Sequence, residues 1–282
     1  MLTFKHLKNH NLHFKINCLT LTFLKHLTMT YDNNDYWTRR RTIRRYSDRE
    51  VSEEMLDDII EKASHAPTTG NMQLYSVIVT RDPEAIKELA PAHFNQPAAT
   101  GATALLTFCA DFNRFCHWCD ISDADHGYDN FQSFMTAVLD TAIFTQQFVT
   151  IAEQQGLGCC YLGTTTYNAP QIAKTLQLPE RVIPVCTISV GWPADEGFVS
   201  DRLPLRAILH RERYHLPDDS ETAGYYAYKE GLPESAGFIA ENGKKTLAQV
   251  FTDIRYTRKN NEYFSTVYHD FIENNGFPFQ KK

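Results

Sequence analysis

Five arginines stand within seven residues, from Arg39 to Arg45. A guanidinium group donates hydrogen bonds in a planar fork that matches two phosphate oxygens, so this run could hold an anionic head group. A basic run can equally be a solvated surface or a nucleic-acid patch. The formal net charge of −6 and the pI near 6.0 argue against a surface that tracks nucleic acid. A non-enzymatic nucleic-acid or anion-binding protein that uses Arg39–Arg45 is therefore kept as the alternative function.

Three other segments place polar or flexible residues where a ligand could approach. Residues 66–75, APTTGNMQLY, offer hydroxyl and amide groups in a loop between a helix and a strand. Residues 156–168, GLGCCYLGTTTYN, have glycines around a strand, where a flat molecule can reach the backbone. Arg202 follows a later strand and could close on the same anion. No segment has the GxGxxG or GxxxxGK spacing, so neither a Rossmann site nor a P-loop follows.

The seven cysteines favour reduced thiols in a cytoplasmic protein, because their number is odd and the chain is too long for a disulfide scaffold. The pair Cys116 and Cys119 could begin a zinc site, but tetrahedral zinc needs four ligands and no second CxxC is present. We therefore expect no metal, and we interpret Cys116–Cys119 as part of a surface loop.

The 282 residues show helical and strand-like periods in alternation, which is typical of an α/β or α+β domain. Ser52 is placed to cap a helix, and the pattern from Asn130 to Gln155 predicts a long core helix. Residues after Tyr214 form a polar stretch. The sequence predicts strands at 75–80, 104–110, 158–162 and 182–190, with further helices at 82–90, 169–176, 247–256 and 262–274.

The first residues differ in composition from the rest of the chain. They include no Asp, Glu, Gly or Pro before Tyr31, and Met29 begins a segment that resembles a native start. We interpret residues 1–35 as an N-terminal extension without function, with either Met1 or Met29 as the true start. The domains predicted after it are 36–215, which carries the site, and a helical extension over 216–282. No run of 18 apolar residues is present, so we expect no membrane partner.

The ordered set of motifs resembles the FMN-dependent NAD(P)H nitroreductase family, in its oxygen-insensitive nitroreductase and flavin reductase branch. The opening 40–46 is similar to the HRSIR-x-F motif of that branch, with Arg40 in place of His and Thr42 in place of Ser. The remaining motifs are FCADFNR (108–114), LDTAIFTQQ (139–147), YLG (161–163), GWPAD (191–195) and RLPLRAILH (202–210). The resemblance covers residues 36–215 well and the tail less clearly.

This resemblance implies an α+β fold in which helices flank a central, mostly antiparallel sheet, and an intertwined homodimer with FMN at the interface. Arg40, Arg41, Thr42, Arg44 and Arg202 would bind the phosphate, ribityl chain and ring edge of FMN. Thr68, Thr69, Asn71 and Gln73 would approach from the partner subunit. The pyrimidine edge and the reactive ring nitrogen would be met by Gln96, Leu162, Gly163 and Thr164.

The resemblance also implies a two-electron, ping-pong transfer from NADPH or NADH to small planar acceptors such as nitroaromatics, quinones or flavin. The flavin carries the chemistry, so no catalytic side chain is expected. Five positions depart from the family pattern: Ser200 replaces a phosphate-binding Lys, Thr164 replaces a Gly, Thr166 replaces an Arg, and Glu262 with Tyr263 replaces an Arg-Pro pair. These departures leave the choice between NADPH and NADH open, as does the identity of the physiological acceptor.

Overall fold

The computed structural model of the protein describes residues 33–279. The predicted start residues Met1 and Met29, and all but 33–35 of the predicted extension, lie outside this range. Arg39 and Arg40 belong to different structural units of the chain. The predicted domain boundaries at 35/36 and 215/216 stay predictions.

The helices are α1 Asn33–Arg39, α2 Glu53–Ala63, α3 Pro83–Leu89, α4 Pro97–Thr100, α5 Asn113–Asp120, α6 Phe131–Gln154, α7 Ala169–Thr175, α8 Asp219–Glu230, α9 Pro233–Glu241, α10 Leu247–Val250 and α11 Arg258–Asn274.

Four antiparallel strands form the central sheet, in the order β1–β2–β4–β3. They are β1 Tyr75–Thr80, β2 Ala104–Asp111, β3 Gly158–Tyr161 and β4 Val182–Gly191. In their register, Tyr75 faces Ala110, Ala104 faces Val190, and Gly158 faces Gly191. The predicted strands and the antiparallel sheet are confirmed: β1 has the predicted bounds, and each of the other three strands differs from its prediction by one residue at its C-terminal end.

Helices cover both faces of the sheet, as the predicted α+β class requires. One face packs on α2 and α6 through Leu106, Phe108, Phe144 and Phe148. The other face packs on α3 and α7 through Leu105 and Cys160. Because both faces are covered, every residue of β2 is buried.

Side-chain caps fix where helices α2 and α6 begin. The Ser52 hydroxyl accepts the Met55 N–H at 3.2 Å, and the Asn130 amide oxygen accepts the Ser133 N–H at 3.0 Å. By length and composition, helix α6 is apolar enough to cross a membrane, and 44% of that stretch is buried inside the protein. Its packing against the sheet and α2 identifies it as a core helix instead.

The region after Tyr214 contains more helix than the sequence analysis predicts. Helix α8 begins inside the polar stretch, because Asp218 and Glu221 form a capping box. The sequence pattern does not indicate helix α9. The predicted helix 247–256 is α-helical only to Val250, and a π-helical turn follows over Phe251–Arg255. Ile272 and Phe277 pack the end of this region against Phe112 and Phe134.

The interpretation of Cys116–Cys119 as a loop is wrong. Both residues lie on helix α5, and both thiols are buried. In α5 they are three residues apart, so they face the same side of the helix. Cys116 packs in the apolar cluster that contains Phe112. Within residues 33–279, only His269, Asp270 and Glu273 form a group of three side chains close enough to share a metal ion, and all three are exposed.

Candidate functional site

The arginine segment is held along the ends of two strands. The Ile43 N–H donates to the Cys159 carbonyl of β3 at 3.1 Å, and the Ser47 N–H donates to the Trp192 carbonyl beyond β4 at 2.8 Å. Tyr46 forms a β-bridge with Pro193 and buries its ring beside Gly191. Burial raises the pKa of Tyr46 far above its usual value, so this hydroxyl is a structural hydrogen-bonding group. These contacts fix the backbone of residues 43–47, and so they determine where Arg44 and Arg45 leave the chain.

These arginines have different surroundings. Arg40 forms a two-pronged ion pair with the buried carboxylate of Glu153, with N–O distances of 3.1 and 3.2 Å. Arg41 donates to the Glu196 carbonyl, and Arg45 lies 3.8 Å from Asp195. Arg44 is exposed and lies beside the thiol of Cys160, where its charge partly offsets the rise that burial causes in the pKa of that thiol. Arg40 therefore ties the arginine segment to helix α6 through a buried ion pair.

The turn after β3 offers backbone donors at an open surface. Leu162 is buried, and its N–H donates to the Thr187 carbonyl at 2.9 Å. Within residues 33–279, the N–H groups of Gly163 and Thr164 donate to no protein acceptor. Apart from its two chain neighbours, no atom of the described residues lies within 4 Å of a Cβ added to Gly163. Gly163 follows Cys160 by three residues, so the chain keeps this open turn within about 10 Å of the residue that Arg44 contacts.

Gln96 meets the same turn from a second loop. Its amide nitrogen lies 3.5 Å from the Thr164 hydroxyl, and His93 Nδ1 lies 2.9 Å from that oxygen. His93 is fully buried, and burial lowers its pKa from 6.5 to about 4. The sequence analysis missed His93, since a lone histidine between Pro91 and Pro97 carries no local pattern that indicates its partner, 71 residues away.

The loop Thr68–Gln73 is anchored by two polar side chains. The buried carboxylate of Asp140, on α6, accepts the Thr69 N–H at 2.9 Å. Arg114 donates to the Gln73 and Tyr75 carbonyls at 2.7 and 3.0 Å. The loop has φ near +57° at Gly70 and Asn71 and +55° at Gln73, which exposes the side chains of Asn71 and Gln73. Asp140 lies in the motif LDTAIFTQQ, and Arg114 lies in FCADFNR. These motifs therefore mark the two anchoring residues, although the sequence does not show what they anchor.

Arg202 follows an exposed segment that starts at Pro193. Its guanidinium donates to the Ser200 and Asp201 carbonyls at 3.1 and 2.8 Å, and no carboxylate of residues 33–279 pairs with it. Asp201 instead forms an ion pair with Lys229 of α8. Because Glu196 contacts Arg41, the chain between them keeps Arg202 within about 20 Å of the arginine segment.

Comparison with known proteins agrees with the motifs. The sequence model of the nitroreductase family matches residues 38–192. The chain belongs to the nitroreductase family. The FMN reductase (NAD(P)H) of Bacillus subtilis strain 168 is 32% identical over 250 residues, which cover 86% of this chain and 97% of that relative. The oxygen-insensitive NADPH nitroreductase of Salmonella typhimurium is 31% identical over 213 residues, covering 76% of this chain and 85% of that one.

Solved structures give the same family fold. A crystal structure of a Bacteroides fragilis protein assigned as an oxidoreductase is 49% identical, with a TM-score of 0.85, and the match covers 86% of this chain and 99% of that one. A match over 86% of the chain is longer than residues 1–215, so it extends into the C-terminal helices. This member of the nitroreductase family therefore shares nearly the whole of its described fold with that relative.

The donors of this nitroreductase fit a phosphorylated flavin. A phosphate dianion needs guanidinium and hydroxyl donors, which Arg41, Thr42, Arg44 and Arg202 can supply. A flavin ring edge needs hydrogen-bond donors on an open surface, which the N–H groups of Gly163 and Thr164 can supply. Arg40 fits the phosphate less well than predicted, because Glu153 already holds its guanidinium.

Proposed function

We propose that this protein is an FMN-dependent oxidoreductase that passes two electrons from NADPH or NADH to small planar acceptors by a ping-pong mechanism. Its relatives include an FMN reductase, an oxygen-insensitive NADPH nitroreductase and a Cr(VI) reductase of a Pseudomonas strain. The observation that carries the proposal is the turn at Gly163 and Thr164, whose two N–H groups donate to no acceptor among residues 33–279, after the strand on which Cys160 contacts the exposed Arg44.

Bound FMN would supply hydride acceptance and donation, which no side chain can do. The chain binds and orients it. Arg41, Thr42, Arg44 and Arg202 hold the phosphate and the nearby chain, while Gln96 and the 162–164 backbone meet the ring. A preorganised cation such as Arg44 favours negative charge that develops on a bound group, and it needs no rearrangement to do so. Nitroaromatics, quinones and flavin are the acceptors that we propose.

The site is completed by a second copy of the chain in this proposal. Asp140, which anchors the Thr68–Gln73 loop, and Glu153, which holds Arg40, are thirteen residues apart on α6. At 1.5 Å per residue, these anchors are about 20 Å apart in one protomer. Thr68, Thr69, Asn71 and Gln73 would then reach the flavin only from the partner of a homodimer. Exposed apolar side chains support an intertwined contact, namely Leu139, Ile143, Phe198, Val199, Leu205, Ile208, Leu209 and Leu216.

The alternative nucleic-acid or anion-binding function is less well supported. Two of the five arginines, Arg40 and Arg45, pair with carboxylates of the same chain, so the run does not form an uninterrupted basic face. We therefore propose no nucleic-acid partner and no membrane partner. The six cysteines in the described residues are free thiols, which supports the cytoplasm as the compartment.

The first experiment is a visible spectrum of the purified protein, followed by FMN titration and ultracentrifugation. We expect a yellow dimer, reduced by NADPH or NADH in stopped flow, with parallel double-reciprocal plots. Arg202→Ala should weaken FMN binding about ten- to a hundred-fold, because it removes a charge-assisted hydrogen bond. Arg211→Ala, at an exposed arginine outside the proposed site, is the matched control. A colourless protein that takes up no FMN would refute the proposal.

A further inference from the structure

The Thr164 hydroxyl lies at the contact between two turns. Thr164 belongs to the turn after β3, and His93 and Gln96 belong to the turn between α3 and α4. A second bond joins these turns, because the Asn168 amide donates to the Ala92 carbonyl at 2.7 Å. The Thr164 carbonyl also accepts the Asn168 N–H at 3.2 Å. The position of the hydroxyl is therefore fixed by the fold rather than by a flexible side chain.

The hydrogen-bonding capacity of His93 determines which way the Thr164 proton points. His93 is neutral, so one ring nitrogen donates and the other accepts. Its Nε2 is buried and has no hydrogen-bond partner among the described residues. A buried donor without an acceptor is rarer in proteins than a buried acceptor that is left unused. The proton therefore belongs on Nδ1, which donates to the Thr164 oxygen at 2.9 Å.

Thr164 then has both of its acceptor sites filled. Nδ1–H of His93 occupies one, and the Gln96 amide N–H, at 3.5 Å, occupies the other. The hydroxyl proton must point elsewhere, and within residues 33–279 no protein acceptor receives it. The Thr164 hydroxyl is therefore a third donor on this turn, beside the N–H groups of Gly163 and Thr164, which donate to no acceptor among the described residues.

We infer that the Thr164 hydroxyl, oriented by His93, is a third hydrogen-bond donor to the flavin ring, and that His93 is its positioning residue. The inference rests on the proposed function. It goes beyond the family pattern, because the glycine of that pattern has no hydroxyl at this position. A donor at the ring edge holds the electron-rich reduced ring more tightly than the oxidised ring, so it raises the reduction potential.

The test compares FMN affinity, measured by fluorescence quenching, and the midpoint potential of the bound flavin. Thr164→Val keeps the shape of the side chain and removes the hydroxyl, and Thr164→Ser keeps the hydroxyl. We expect Thr164→Val to weaken FMN binding about three- to ten-fold and to lower the potential, with Thr164→Ser close to the parent. His93→Phe should match Thr164→Val, and the double variant should be no weaker than either, because His93 acts through Thr164.

Unchanged affinity and potential in Thr164→Val would overturn the inference, as would losses that multiply in the double variant. Nitrogen-15 NMR of the parent protein gives an independent measurement if His93→Phe does not fold. A protonated Nδ1 is expected, and a protonated Nε2 would overturn the inference. Failure of the parent protein to bind FMN would instead refute the proposed function, so the two failures are distinguishable.

Discussion

A Cβ added to Gly158 would lie 2.6 Å from the Cβ of Ile43. This closeness lets the Ile43 N–H reach the Cys159 carbonyl and so holds the arginine segment against β3. A side chain at Gly158 would push the segment away, because Ile43 is itself buried and cannot move into open space. The absence of one methyl group therefore helps to determine where Arg41 and Arg44 lie.

Gly158→Ala should reduce the free energy of unfolding by about 1–3 kcal/mol and weaken FMN binding at the same time. Gly163→Ala is the matched comparison, because its new Cβ has no atom of the described part of the chain within 4 Å except those of its sequence neighbours. It should leave the unfolding transition unchanged and weaken only FMN binding. Urea unfolding without FMN and an FMN titration separate the two effects. Equal stability of Gly158→Ala and the parent would contradict the expected contact.

Removing Arg40 should destabilise the fold more than removing a surface arginine. Arg40→Ala would leave the Glu153 carboxylate, with a side chain only 8% exposed, without its guanidinium. Losing one partner of a buried ion pair costs about 3–5 kcal/mol. Arg45→Ala is the control, because its pair with Asp195 is exposed and long at 3.8 Å, and it should cost less than about 1 kcal/mol. Thermal or urea unfolding measures both, and similar losses in the two variants would count against the assignment.

Asp140→Ala should loosen the Thr68–Gln73 loop. The carboxylate accepts the Thr69 and Leu74 N–H groups at 2.9 and 3.4 Å, and a hydrogen bond to a charged group contributes about 1.5–3 kcal/mol. Hydrogen exchange at these two amides should become faster, with a smaller change in Asp140→Asn, which keeps one acceptor oxygen. Unchanged protection of the Thr69 amide in Asp140→Ala would show that Asp140 does not anchor this part of the loop.

The buried His93 predicts a loss of stability at low pH. Its pKa is about 4 in the folded chain and 6.5 when unperturbed, so the unfolded chain binds more protons between these values. The free energy of unfolding should fall by up to about 3 kcal/mol as the pH drops through this window, with no contribution from His93 above it. Urea unfolding across the window should show a shallower pH dependence in His93→Gln than in the parent. Parallel curves would refute the effect.

Local signals in the sequence predict the helices and strands that hold the site. The cap at Ser52, the apolar period from Asn130 to Gln155 and the β-rich run at 75–80 each depend on residues within one or two turns. The same locality explains the misses. The capping box of Asp218 and Glu221 was hidden in a polar stretch, and the helix at Cys116 has an uneven apolar pattern beside aromatic residues.

The sequence by itself determined the family, the antiparallel sheet between helices and the segments that carry the arginines, because motifs and periodicity are properties of neighbouring residues. Only the tertiary structure decided that Arg40 pairs with Glu153, 113 residues away, and that His93 meets Thr164, 71 residues away. A guanidinium can bind a phosphate or a buried carboxylate equally well, and its sequence neighbours do not say which acceptor will be within 3 Å. The packing of α6 against the sheet decides which acceptor is near. It brings Glu153 to Arg40 and leaves Arg44 exposed at the candidate site.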